Sequence, residues 1–115
     1  METILIIDDE PESLEALNGI LSSNGYKVRG TINVELALKS AQKYVPNLIL
    51  LDICLPGIDG FEACKMFKSI QKLEHVPIIF LTGKTDLQDK INGFKSGGVD
   101  YITKPFSSEE VLARI

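Results

Sequence analysis

The sequence predicts an α/β fold: one doubly wound (βα)5 domain over residues 1–115, built on a five-stranded parallel sheet. Three observations predict it. Short apolar runs without alternation recur along the chain, as in strands covered on both faces. Between them apolar residues return every three or four positions, the helical period. Asp, Thr or Lys follows close on the runs, where an open α/β sheet presents its ligand-binding edge.

The first strand run is Ile4-Leu5-Ile6-Ile7. Pro11 then stands where a first helical turn tolerates proline, and Leu14, Leu17 and Leu21 set one stripe. Asn24-Gly25 stops that helix. Tyr26-Lys27-Val28-Arg29 alternates, so it reads as an edge strand with one wetter face. Val34, Ala37, Leu38 and Ala41 mark the second helix, and Pro46 precedes the third strand run, Leu48-Ile49-Leu50-Leu51. Phe61, Cys64 and Phe67 share one side of a third helix, which Ala63, Met66 and Ile70 widen. Pro77 leads into Ile78-Ile79-Phe80-Leu81. Leu87, Ile91 and Phe94 outline a fourth helix stopped by Gly97-Gly98, and Tyr101-Ile102 is the fifth strand. Ser107 or Ser108 caps the last helix, where Val111, Leu112 and Ile115 begin a stripe. That stripe breaks off without a cap, so the expectation is a truncated final helix in a domain taken from a longer protein.

Composition narrows the function classes. The net charge is -4, the opposite of the basic footprint of a nucleic-acid-binding domain. No apolar run approaches the ~20 residues of a membrane span, and Met1-Glu2-Thr3 is acidic where a signal peptide is basic. The two cysteines, Cys54 and Cys64, form neither a disulfide framework nor a zinc cluster and read as reduced, packing thiols. The expectation is a soluble domain of the cytoplasm.

The informative residues stand at the strand ends. Asp8-Asp9 follows Ile7, Asp52 follows Leu51, Thr82 follows Leu81, and Lys104 follows Ile102-Thr103. Singly, each acid has a bland reading as a cap or turn former, and Lys104 as a solvated lysine. Those readings do not predict the clustering. Carboxylates a few ångströms apart repel, and one stays protonated unless a cation neutralises them. The cation suggested is magnesium, with manganese as an alternative, because the donors on offer are hard oxygens. Zinc fits poorly, because the sole histidine, His75, has no partner at ligand spacing and reads as a surface residue before Pro77. No twelve-residue calcium loop is present. With a cation in place, Asp52 becomes a candidate nucleophile toward phosphorus, with Lys104 and Thr82 to hold phosphoryl oxygens.

At these residues the chain resembles the receiver domain of a two-component response regulator. The resemblance rests on Ile4-Leu5-Ile6-Ile7-Asp8-Asp9-Glu10, on Leu50-Leu51-Asp52-Ile53 with Pro56 and Asp59-Gly60, and on Phe80-Leu81-Thr82-Gly83. It closes with Asp100-Tyr101-Ile102-Thr103-Lys104-Pro105-Phe106. It implies a flavodoxin-like strand order, 2-1-3-4-5. It further implies that Asp52 accepts phosphate from a phosphohistidine on a sensor histidine kinase or histidine phosphotransfer domain. Asp8, Asp9, Asp52 and the Cys54 carbonyl would hold the metal, and Lys104 would grip the phosphoryl group through a chain that turns at a cis Lys104-Pro105 bond. Thr82 and Tyr101 would form the switch, biasing a surface of the fourth helix, fifth strand and fifth helix. Leu87, Lys90, Ile91, Phe94, Lys95 and Tyr101 border that surface, through which a homodimer is one further expectation. No direct nucleic-acid or membrane contact is expected.

Some positions depart from the commonest family pattern. Cys54 stands where methionine is frequent, and Lys84 and Gly98 where small residues and alanine are. Cys54 and Lys84 should line the mouth of the site and modulate the life of the phosphorylated state. Three alternatives stay open. An aspartyl-nucleophile phosphatase would need an acid where Cys54 stands. A flavodoxin-like nucleotide binder would need N–H donors where Asp8-Asp9-Glu10 stands. A degenerate receiver would only bind proteins. No separate turnover substrate is expected.

Overall fold

The computed structural model describes residues 2–83, 97, 100–104 and 106–115. Strands β1 (Thr3–Ile7), β2 (Lys27–Thr31), β3 (Leu48–Asp52), β4 (Ile78–Thr82) and β5 (Asp100–Thr103) form a parallel sheet in the order β2-β1-β3-β4-β5. That is the expected order. The continuous apolar runs are the buried strands, with β3 and β4 shielded along their whole length. The alternating segment is the edge strand β2, shifted one residue from the expected start at Tyr26.

Helices cover both faces, which is why the inner strands carry no polar alternation. Leu5, Ile7, Leu51 and Phe80 pack toward α2 (Val34–Lys43) and α3 (Gly60–Lys68), meeting Ala37, Ala41, Cys64 and Phe67. Ile4, Ile6, Leu50 and Leu81 pack toward α1 (Pro11–Ser22) and α4 (Ser108–Arg114), meeting Leu17, Leu21 and Val111. Pro11 occupies the first turn of α1 as expected. Past its end, Gly25 takes φ +88°, a left-handed backbone that glycine adopts without strain.

Polar caps set the other helix starts. Asn33 Oδ1 accepts from the Leu36 N–H at 3.1 Å, and Asp59 Oδ1 from the Glu62 N–H at 2.8 Å. Ser107, not Ser108, caps α4, its Oγ accepting from the Glu110 N–H at 3.1 Å.

Three expectations are corrected. Met66 is exposed rather than part of the buried side of α3, because the helical turn places it on the outer face with Glu62 and Lys65. Ile70 lies beyond the helix, leading into a 3-10 turn, Gln71–Leu73, that buries Leu73. Cys54 is exposed rather than packed, in a two-residue bridge pairing Cys54–Leu55 with Ile58–Asp59. Cys64 is buried, as expected. His75 is on the surface beside Glu74. The helix expected over Leu87–Phe94, with Lys84, Lys90, Lys95 and Gly98, lies outside the described residues. Among the described residues no helix is long and apolar enough to cross a membrane.

Candidate functional site

Four chain segments converge at the carboxyl edge of the sheet. The Asp8 N–H donates to the Thr31 carbonyl at 3.1 Å, extending the β1–β2 ladder one residue past β1. Asp8 is thereby kept at the edge. β3 ends on Asp52 and β4 on Thr82, while the Lys104 N–H donates to the Thr82 carbonyl at 2.8 Å just past β5. Asp8, Asp52 and Thr82 are 0%, 3% and 2% exposed. The sheet order β1-β3-β4-β5 is what makes residues so distant in sequence neighbours.

Backbone donors fix the acids. Asp8 Oδ1 accepts from the Glu10 N–H at 2.9 Å, and Asp52 Oδ1 from the Cys54 N–H at 2.8 Å. Asp59-Gly60 also acquires a physical reason here. Asp59 caps α3, and a Cβ at Gly60 would run into the Asp52 carbonyl oxygen. The Gly60 N–H donates to the Ile53 carbonyl at 2.9 Å. Only glycine lets α3 start against the end of β3.

The Lys104 ammonium sits among the acids. Its Nζ lies 2.6 Å from Glu10 Oε1, 2.9 Å from Asp52 Oδ2 and 3.0 Å from Asp8 Oδ2. The Asp8 contact has the distance of an ion pair without the alignment of a hydrogen bond, so Asp8 Oδ2 is a buried oxygen without a donor. Burial, more than anything else, pushes the Asp8 carboxyl up to about 6. The nearby Asp52 adds to that, while the Glu10 N–H and Lys104 oppose it. For Lys104 burial works against the charge, but the contacts with the Glu10, Asp52 and Asp8 carboxylates prevail and raise its pKa.

Asp8, Asp9, Glu10 and Asp52 each place a carboxylate oxygen within 4.8 Å of the others. Asp9 and Glu10 are exposed, Asp8 and Asp52 buried. An oxygen-only set with one buried, donorless oxygen fits a hard divalent cation and does not fit a soft one. Of the residues singled out in the sequence, Asp8, Asp9, Asp52 and Lys104 meet here and Thr82 ends the adjoining strand, while Glu10, to which the sequence assigns no role, joins them. Nothing in a sequence marks a carboxylate that reaches across the fold to a lysine.

Tyr101 is only 8% exposed, its ring centroid 5.6 Å from that of Phe80. Phe80 in turn meets Phe61 edge-on at 5.1 Å, so the ring belongs to the core layer under α3. Pro105 lies outside the described residues, and the Lys104-Pro105 bond with it.

Comparison with known proteins agrees with this geometry. The family model for the response regulator receiver domain matches residues 4–115. The chain is 40% identical over its whole length to the DNA-binding dual master transcriptional regulator RpaA of Synechocystis sp., of which it covers 48%. It is 45% identical over 97% of its length to the alkaline phosphatase synthesis transcriptional regulatory protein PhoP of Bacillus subtilis, of which it covers 46%. The chain thus spans about half the length of these curated relatives. Among solved structures, the receiver domain of sensor histidine kinase PA1611 from Pseudomonas aeruginosa superposes with a TM-score of 0.89 at 31% identity. That match covers 98% of this chain and 93% of the other, which has a magnesium ion coordinated in its active-site cleft. Receivers are signalling modules that work with histidine kinases or phosphotransfer partners and bind magnesium in an acidic pocket. Buried strand-end acids, the lysine among them and the family match together make this chain a member of the response regulator receiver domain family.

Proposed function

We propose that Asp52 accepts a phosphoryl group from a phosphohistidine on a cytoplasmic sensor histidine kinase or phosphotransfer domain. The observation that carries this is the pairing of a buried Asp52 carboxylate with the Lys104 ammonium at 2.9 Å, inside a cluster of further acids. Asp8, Asp9, Asp52 and the Cys54 carbonyl are the proposed ligands for Mg2+ or Mn2+, which when bound neutralises the charge building on the phosphoryl oxygens. One Asp52 oxygen forms the new O–P bond as the N–P bond of the donor breaks, the electron pair leaving on the imidazole nitrogen. Lys104 follows the transferred oxygens, and the Thr82 hydroxyl, at the end of the neighbouring strand, reaches another.

The new charge of roughly -1.5 to -2 is the signal. Thr82 and Tyr101 are the proposed switch, coupling the site to the surface around β5 and α4 and to a homodimer or output segment there. Cys54, exposed two residues after Asp52, and Lys84, two residues after Thr82 in the sequence, are the proposed modulators of phosphoryl loss. Neither nucleic acid nor membrane is a proposed direct partner of this acidic domain.

Incubation with acetyl phosphate and Mg2+, followed by intact mass measurement, tests the proposal. One added phosphoryl group is expected, absent in Asp52→Asn and absent when the metal is chelated. Labelling that persists in Asp52→Asn would refute it. An aspartyl phosphatase would instead release many equivalents of phosphate from a phosphomonoester, and no such turnover is expected.

A further inference from the structure

We propose that Glu10 is a positioning residue for Lys104: it holds the ammonium at the rim of the site once a divalent cation has taken over Asp8 and Asp52. The inference rests on the phosphoacceptor reading above and adds a residue to it. Lys104 faces Glu10, Asp52 and Asp8 at 2.6, 2.9 and 3.0 Å. The ammonium donates hydrogen bonds to Glu10 and Asp52 and pairs with Asp8 by charge alone, so all three acids hold it where it is. It lies where a divalent cation would also lie, between Asp8 and Asp52, and two cations so close repel. One of the two must yield.

Glu10 offers the place to yield to. It stands at the N-cap of α1, yet its side chain makes no cap hydrogen bond, so capping does not account for its position. Its carboxylate is spent on Lys104 instead, at the shortest of the three distances. The two differ from the inner pair in setting as well. The Glu10 side chain is 59% exposed where that of Asp52 is 4%. Beside them opens a cavity of about 460 Å³, lined by Glu10, Glu12, Ser13, Ala16, Lys104 and Phe106. The ammonium therefore has room to move outward while keeping one charge-assisted bond, and stays within reach of an incoming phosphoryl group.

The test compares wild type, Glu10→Gln and, as a control for lost charge in the same cavity, Glu12→Gln. Folding is checked by thermal unfolding, Mg2+ affinity by calorimetry, and the freedom of Lys104 by its rate of labelling with an amine-reactive reagent, read by peptide mass. In wild type and Glu12→Gln, saturating Mg2+ should change Lys104 labelling less than about twofold, because Glu10 retains the ammonium. In Glu10→Gln, Mg2+ should accelerate labelling about tenfold and slow phosphorylation by acetyl phosphate about tenfold, with Mg2+ affinity within about threefold of wild type. Labelling in Glu10→Gln that ignores Mg2+ would overturn the proposal. So would a loss of Mg2+ affinity beyond tenfold, which would make Glu10 a metal ligand. A wild type that takes up no Mg2+ would overturn the phosphoacceptor reading and this proposal with it, a result distinct from a defect confined to Glu10→Gln.

Discussion

Ile7 and Asp8 are chain neighbours, both fully shielded from water, and so nearly are Leu51 and Asp52. Their energetics are opposite. Burying an aliphatic side chain of the sheet stabilises by about 1.5–3 kcal/mol, whereas burying a carboxylate costs free energy unless charge and hydrogen bonds compensate. The middle of the sheet is self-sufficient. Its carboxyl edge depends on one ammonium and a few backbone donors, and it stays assembled because the layers beneath hold it there. The same burial that stabilises the one region loads the other for cation and phosphoryl chemistry.

The contrast can be broken from either side. Phe67→Ala in the core under α3 should destabilise by about 3–5 kcal/mol in urea unfolding, with or without Mg2+. Asp8→Asn should do the reverse. The Asp8 carboxyl rises from 3.8 to about 6 on folding, so the folded state binds its proton more tightly than the unfolded chain. Its contribution is fully present below pH 3.8 and is lost as pH rises through about 6. At pH 8 without metal, Asp8→Asn should therefore be more stable than wild type by about 2–3 kcal/mol, a gap that shrinks below about 1 kcal/mol at pH 4. Unfolding curves at both pH values check this, and a pH-independent difference would contradict it. Gly60→Ala, whose Cβ meets the Asp52 carbonyl, should cost about 1–3 kcal/mol and slow phosphorylation of Asp52. The smallest effect is that of Mg2+ on wild type. At ten times its dissociation constant it should stabilise by about 1.4 kcal/mol, and Asp8→Asn should respond less.

Much of this was legible in the sequence, for a physical reason. Strands buried on both faces must be continuously apolar, so Ile4–Ile7, Leu48–Leu51 and Ile78–Leu81 announced themselves, and the residues following them had to meet at one edge. The two-residue bridge at Cys54–Leu55 is too short to have a period, which is why the exposure of Cys54 did not show. Met66 shares the outer face of its helix with Glu62 and Lys65, and composition alone could not turn an apolar side chain outward. Glu10 was the substantive omission. Its partner is 94 positions away, and neither period nor motif encodes the reach of one side chain.

Borohydride trapping, which reduces an aspartyl phosphate where it stands, followed by peptide mass spectrometry, asks most directly which of four crowded acids reacts. After treatment with acetyl phosphate and Mg2+, reduction at Asp52 alone is the expected result. Reduction at Asp8, Asp9 or Glu10, or at none of the four, would contradict the role assigned to the buried acid beside Lys104.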